Sequence, residues 1–165
     1  MAPLVIVVVV TLVLLGAGAA GVRVLRPWPV PVRGGLAAMF TATGVAHFTG
    51  MREELVNMVP AGLPAPGFLV ALTGVLELAG AAGLVWQRTA PWAAGCLGAL
   101  LVVMFPANVT AALDGRWTAF EDQLVPRTAM QVVFLTATLA VVFHHWLARP
   151  GRVRAGRRGT GESPA

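Results

Sequence analysis

Five stretches of this 165-residue chain run for about twenty residues each with almost no charge inside them: 3–24, 34–51, 67–86, 90–113 and 128–147. An α-helix rises ~1.5 Å per residue and needs ~20 apolar residues to cross ~30 Å of hydrocarbon. In lipid each segment must satisfy its own backbone N–H and C=O groups, and for separate apolar runs that means helices. Composition agrees, with 57% hydrophobic and 12% charged residues, where a soluble domain carries about a quarter charged. The expected class is all-α, a polytopic membrane helical bundle surrounded by bilayer lipid. The same deficit of charge rules out disorder and speaks against an ordinary soluble globule.

The stretch 34–51 is the shortest and counts as a span because Arg33 and Arg52 mark its two ends. The first stretch has two readings. Residues 4–15 followed by Ala17-Gly18-Ala19 have the form of a signal-peptide core and cleavage site. No positive charge precedes the run, however, and Arg23, Arg26 and Arg33 follow it, which favours a retained helix with its amino end outside. Three regions result: a first helix and loop over 1–33, a four-helix domain over 34–148, and a basic, Gly- and Pro-rich tail over 149–165 expected to be disordered.

The arginines orient the chain. With the amino end outside, nine of the twelve (Arg23, Arg26, Arg33, Arg88, Arg149, Arg152, Arg154, Arg157 and Arg158) fall on the cytoplasmic side. Glu53, Glu54, Asp114, Glu121 and Asp122 fall outside. There is no Lys and no Tyr, a bias that with abundant Ala and Gly points to a GC-rich bacterial genome. The expected location is therefore a bacterial plasma membrane, crossed several times, with a cytoplasmic carboxyl end. Because the basic residues bracket apolar spans instead of forming a basic face, nucleic acid is not an expected partner. The single Cys96 excludes a CxxC redox pair or thiolate cage within one chain.

Polar side chains inside hydrocarbon are costly and seek partners, so the informative residues are few: His47, Thr73, Glu77, Asn108 and Gln131. Counted along their helices, they gather in the outer half of the bilayer, with Glu77 nearest the middle. Helical side chains lean toward their own amino terminus, which brings Glu77 and His47 toward each other, directly or through one water. The cluster reads either as a hydrogen-bond network that fixes packing, worth ~0.6–2 kcal/mol per contact, or as a ligand pocket. Pro106 removes a backbone N–H and is expected to kink the fourth span beside Asn108. His144 and His145 lie at the opposite end, too far from His47 for bis-His haem ligation. One His and one Glu make a poor metal site, and no cofactor and no catalytic residue is expected. Trp117, Phe120 and the amphipathic residues 51–59 read as interfacial.

Four motifs occur in order: Gly44-Val45-Ala46-His47-Phe48; Met58-Val59-Pro60 with Leu63-Pro64-Ala65-Pro66; Thr73-Gly74-Val75-Leu76-Glu77; and Phe105-Pro106-Ala107-Asn108. Arg127 and Gln131 add an R-x-x-x-Q pair. This pattern, over about 35–147, resembles the DoxX family of small bacterial membrane proteins. The resemblance implies a four-helix membrane core with one extra helix before it, and places His47, Glu77, Asn108 and Gln131 at motif positions. It also implies association with quinone-linked oxidoreductase systems. Two functions are expected from these readings together: a polar-lined pocket for a quinone, isoprenoid or similar lipophilic molecule, or an accessory membrane subunit of an oxidoreductase complex. A structural or stress-related membrane protein without a ligand is the plainer alternative.

Overall fold

The computed structural model describes residues 2–60, 62–113 and 124–147. Among these residues there is no strand. The helices are α1 (Ala2–Ala19), α2 (Pro29–Ala46), α3 (Arg52–Met58), α4 (Pro66–Val85), α5 (Ala90–Leu113) and α6 (Leu124–Leu147), with one 3-10 turn at Arg23–Leu25. Four of them, α1, α4, α5 and α6, are long and apolar enough to cross a membrane. The tail over 149–165, Trp117 and Phe120 lie outside the described residues.

The fifth expected span is present as α2, but it is less apolar than the others and starts earlier than the charge pattern suggests. Pro29 and Pro31 occupy its first turns, where a missing N–H costs nothing and the fixed φ suits a helix. Arg33 consequently lies inside the helix, buried, and not in a cytoplasmic loop. The expected division between residues 33 and 34 falls within α2. Likewise α1 ends at Ala19, short of residue 24, because the chain folds back over Gly18. There the Leu25 carbonyl oxygen stands 2.9 Å from where a Cβ would be.

The position of α2 explains its composition. It packs against α1, α4 and α6, while α5 packs against α4 and α6, so α2, α4, α5 and α6 form a ring with α1 outside α2. Leu36, Met39 and Phe40 from α2, Leu84 from α4, Leu97 from α5 and Phe134 from α6 form the core. A helix packed on several sides can bury glycine and arginine, as α2 does with Gly35, Gly44 and Arg33, whereas large apolar side chains dominate the outward positions. Val13, Val75, Val103, Val132 and Phe143 accordingly face outward from the other helices. α3 lies at one end of the bundle, against α4 and α5.

Two arginine bonds close the opposite end. The last carbonyls of a helix lack partners within it, and in α4 side chains supply them. Arg33 Nε donates to the Leu84 carbonyl (2.9 Å) and Nη2 to that of Val85 (2.8 Å). Thr89 Oγ1 donates to the Gly83 carbonyl at 2.7 Å. The cation at a helix carboxyl end also suits the helix dipole.

Candidate functional site

Beside α3 the bundle holds a half-open cavity of about 420 Å³, to which all six helices contribute. His47, at the end of α2, and Glu77, in the middle of α4, are both buried, 4% and 5% exposed. They do not bond to each other. Thr43 stands between them, one turn before His47 and on the same face of α2. Its Oγ1 donates to Glu77 Oε2 at 2.5 Å, and its carbonyl lies 2.8 Å from His47 Nδ1. A carbonyl only accepts, so Nδ1 carries the proton and Nε2 keeps a lone pair. The expected link between Glu77 and His47 is thus made through Thr43, a residue that its own stretch of sequence does not mark.

Asn108 on α5 and Gln131 on α6 face the same space. Arg127, one turn before Gln131, lines it too and donates from Nη1 to Asn108 Oδ1 at 3.3 Å. Gln131 Nε2 donates to the Leu101 carbonyl at 2.7 Å. That carbonyl is adjacent to Val102, whose usual helical partner would be the N–H that Pro106 lacks. α5 runs from Ala90 to Leu113 with Pro106 inside it. Pro106 itself is not among the lining residues.

Thr73 does not join the cluster. Its hydroxyl turns back on its own helix and donates to the carbonyls of Leu69 and Val70, 3.0 Å each. The structure therefore brings together His47, Glu77, Asn108 and Gln131, adds Thr43 and Arg127, and leaves Thr73 outside. No buried side-chain nitrogen or oxygen among the described residues lacks a hydrogen-bond partner. It follows that His47 Nε2, Gln131 Oε1 and Asn108 Nδ2, which have none, are accessible atoms, and the space beside them is this cavity. The remaining wall is apolar, with Ile6, Phe40, Leu55, Leu101 and Phe134.

His144 and His145 lie at the far end of α6. The His144 ring meets Trp28 edge-on, centroids 5.0 Å apart at 79°. His145 borders a smaller cavity of about 290 Å³ with Cys96, Trp92 and Trp146. Among the described residues no three His, Cys, Asp or Glu side chains are grouped to hold a metal ion.

Comparison with known proteins corrects the family reading. Neither a curated protein nor a solved structure matches the chain. The DoxX resemblance is overturned, because the family model that matches residues 36–148 is a different one and no DoxX match accompanies it. Short motifs of one polar residue beside glycine or proline recur wherever membrane helices end, kink or pack closely, so four of them in order do not define a family. The matched span starts within α2 and runs through α6, leaving α1 and Arg33 outside it. By that match the chain belongs to the family described as a domain of unknown function, DUF8561.

Proposed function

We propose that this protein is a membrane-embedded binding protein whose cavity takes a lipophilic molecule with a polar, oxygen-bearing head, of the quinone or isoprenoid kind. One observation carries the reading: the polar side chains of α2, α4, α5 and α6 converge on one open cavity, and several keep an unbonded atom accessible there. A network that served packing alone would satisfy its members internally. The volume, about 420 Å³, lies within the ~300–1,000 Å³ usual for small-molecule sites. Ile6, Phe40 and Phe134 would face the ligand's apolar body, and Glu77, His47, Asn108 and Gln131 its head.

The bundle resides in a bacterial plasma membrane with its amino end and α3 outside. Arg33 no longer counts as a flanking charge, yet Arg23, Arg26, Arg88 and the five arginines after residue 148 still follow or precede the same ends of the helices, as the positive-inside rule requires. The cavity then opens toward the outer leaflet.

Purification in mild detergent followed by solvent extraction and mass spectrometry tests this. A stoichiometric lipophilic compound should accompany the parent protein and be lost from Glu77→Gln and His47→Ala. A parent protein that carries nothing, with both variants changed only in thermal stability, overturns the reading. Recovery of an empty protein bound to a redox enzyme would support an accessory subunit of an oxidoreductase complex in its place.

A further inference from the structure

Methionine occurs five times after Met1, at positions 39, 51, 58, 104 and 130, and all five line the cavity. They come from α2, the turn before α3, α3 itself, α5 and α6, so no local repeat accounts for their meeting. The chain uses valine and leucine on its lipid face and places its polarisable thioethers around one space.

Several other groups there are also electron-pair donors. His47 holds its Nδ1 proton on the Thr43 carbonyl and leaves the Nε2 lone pair unbonded on a side chain that lines the cavity. Gln131 gives one amide N–H to the Leu101 carbonyl and keeps its oxygen unbonded. Glu77 adds a carboxyl group. These electron-pair donors share an otherwise apolar wall with Arg127 and the Asn108 amide, and their natural complement is a Lewis acid. Thioether donors select a soft ion such as Cu(I) and imidazole suits copper among other metals, whereas carboxylate- and carbonyl-rich sites suit Mg, Ca or Mn. Fixing an imidazole through a carbonyl on its other nitrogen is also how metal-bound histidines are oriented.

We propose that the cavity binds Cu(I), through His47 Nε2 and thioethers drawn from the five methionines. Methionine's three rotatable bonds let two or three sulfurs converge on one ion. Arg127, the cation that shares the wall, is bonded to Asn108. The copper site does not depend on the lipophilic ligand, which would compete for the same space.

The test is an anaerobic titration of the full chain in detergent with Cu(I) held by a chromophoric chelator. The expected result is withdrawal of about one Cu(I) per chain, displaced by Ag(I) and not by Zn(II). His47→Leu, and separately Met104→Leu with Met130→Leu, which keep the volume, should weaken binding by about tenfold or more. Cys96→Ser should bind as the parent does, since Cys96 borders the smaller cavity. X-ray absorption of the copper-loaded parent, which depends on no variant folding, should show nitrogen and sulfur neighbours. Retention of all copper by the chelator, loss of binding in Cys96→Ser, or a copper shell without sulfur would overturn the proposal. The extraction experiment is run without copper, so the two readings fail separately.

Discussion

Replacing Arg33 by methionine should destabilise the bundle at the end opposite the cavity. Arg33 is 9% exposed and gives two N–H groups to the Leu84 and Val85 carbonyls, at 2.9 and 2.8 Å. Hydrogen bonds from a charged donor contribute about 1.5–3 kcal/mol each, which sets a ceiling of about 3–6 kcal/mol. Two effects reduce it: the freed carbonyls at a helix end can be partly rehydrated, and the variant no longer buries a guanidinium, whose desolvation opposes the gain. A net loss of about 2–4 kcal/mol remains. At about 2–4 °C per kcal/mol for a chain of this size, the melting temperature should fall by about 4–16 °C, followed by tryptophan fluorescence at one scan rate in one detergent. Arg33→Lys should fall between parent and Arg33→Met, because a single ammonium cannot span two carbonyls as the planar fork does. If Arg33→Met melts within about 2 °C of the parent or above it, the guanidinium is not what holds the end of α4.

Thr43→Val, nearly isosteric, removes the hydroxyl bonded to Glu77 and should cost about 1–3 kcal/mol, while the His47 contact to the residue 43 carbonyl persists; equilibrium unfolding in detergent measures it. In Gly74→Ala the new Cβ would lie 2.6 Å from His47 Cβ and 2.9 Å from Phe48 Cε2. Displacing His47 should cost about 1–3 kcal/mol and lower occupancy of the cavity, read by the extraction assay. Gly35→Ala would drive a methyl group into Thr11 Oγ1 and to 2.7 Å from the Val7 carbonyl. α1 should then separate from α2 and become open to proteolysis ahead of the other helices, with the order of cleavage as the readout.

The long apolar helices are legible in the sequence because twenty uninterrupted apolar residues suit a membrane span and little else. The stretches expected at 67–86 and 90–113 correspond to α4, Pro66–Val85, and α5, Ala90–Leu113. Charge misleads where it is taken for a membrane boundary. Arg33 and Arg127 both lie inside helices, and each has a protein acceptor within reach: the end of α4 for Arg33, Asn108 for Arg127. A charge marks the edge of a span only where water or headgroups are its best partner. Whether a neighbouring helix offers a better one is a tertiary fact that no local pattern carries.

The same logic governs the cavity. A lone Glu, His, Asn or Gln in an apolar run stands out because hydrocarbon offers it nothing, and His47, Glu77, Asn108 and Gln131 do share one space. Threonine does not belong in that set, because it can satisfy itself on its own helix, as Thr73, singled out with the others, does. Thr41, Thr73, Thr110 and Thr136 all bond to carbonyls three or four residues back. Nothing along the chain separates Thr43 from these; Glu77 on the facing helix does. Methionine is hidden in the opposite way, since a scan for polar groups passes over a residue that counts as apolar in every window. Only when helices far apart in sequence are packed together do five unremarkable thioethers become the common lining of one cavity. Residues that need a partner are therefore visible singly, whereas residues whose chemistry depends on gathering are visible only in the fold.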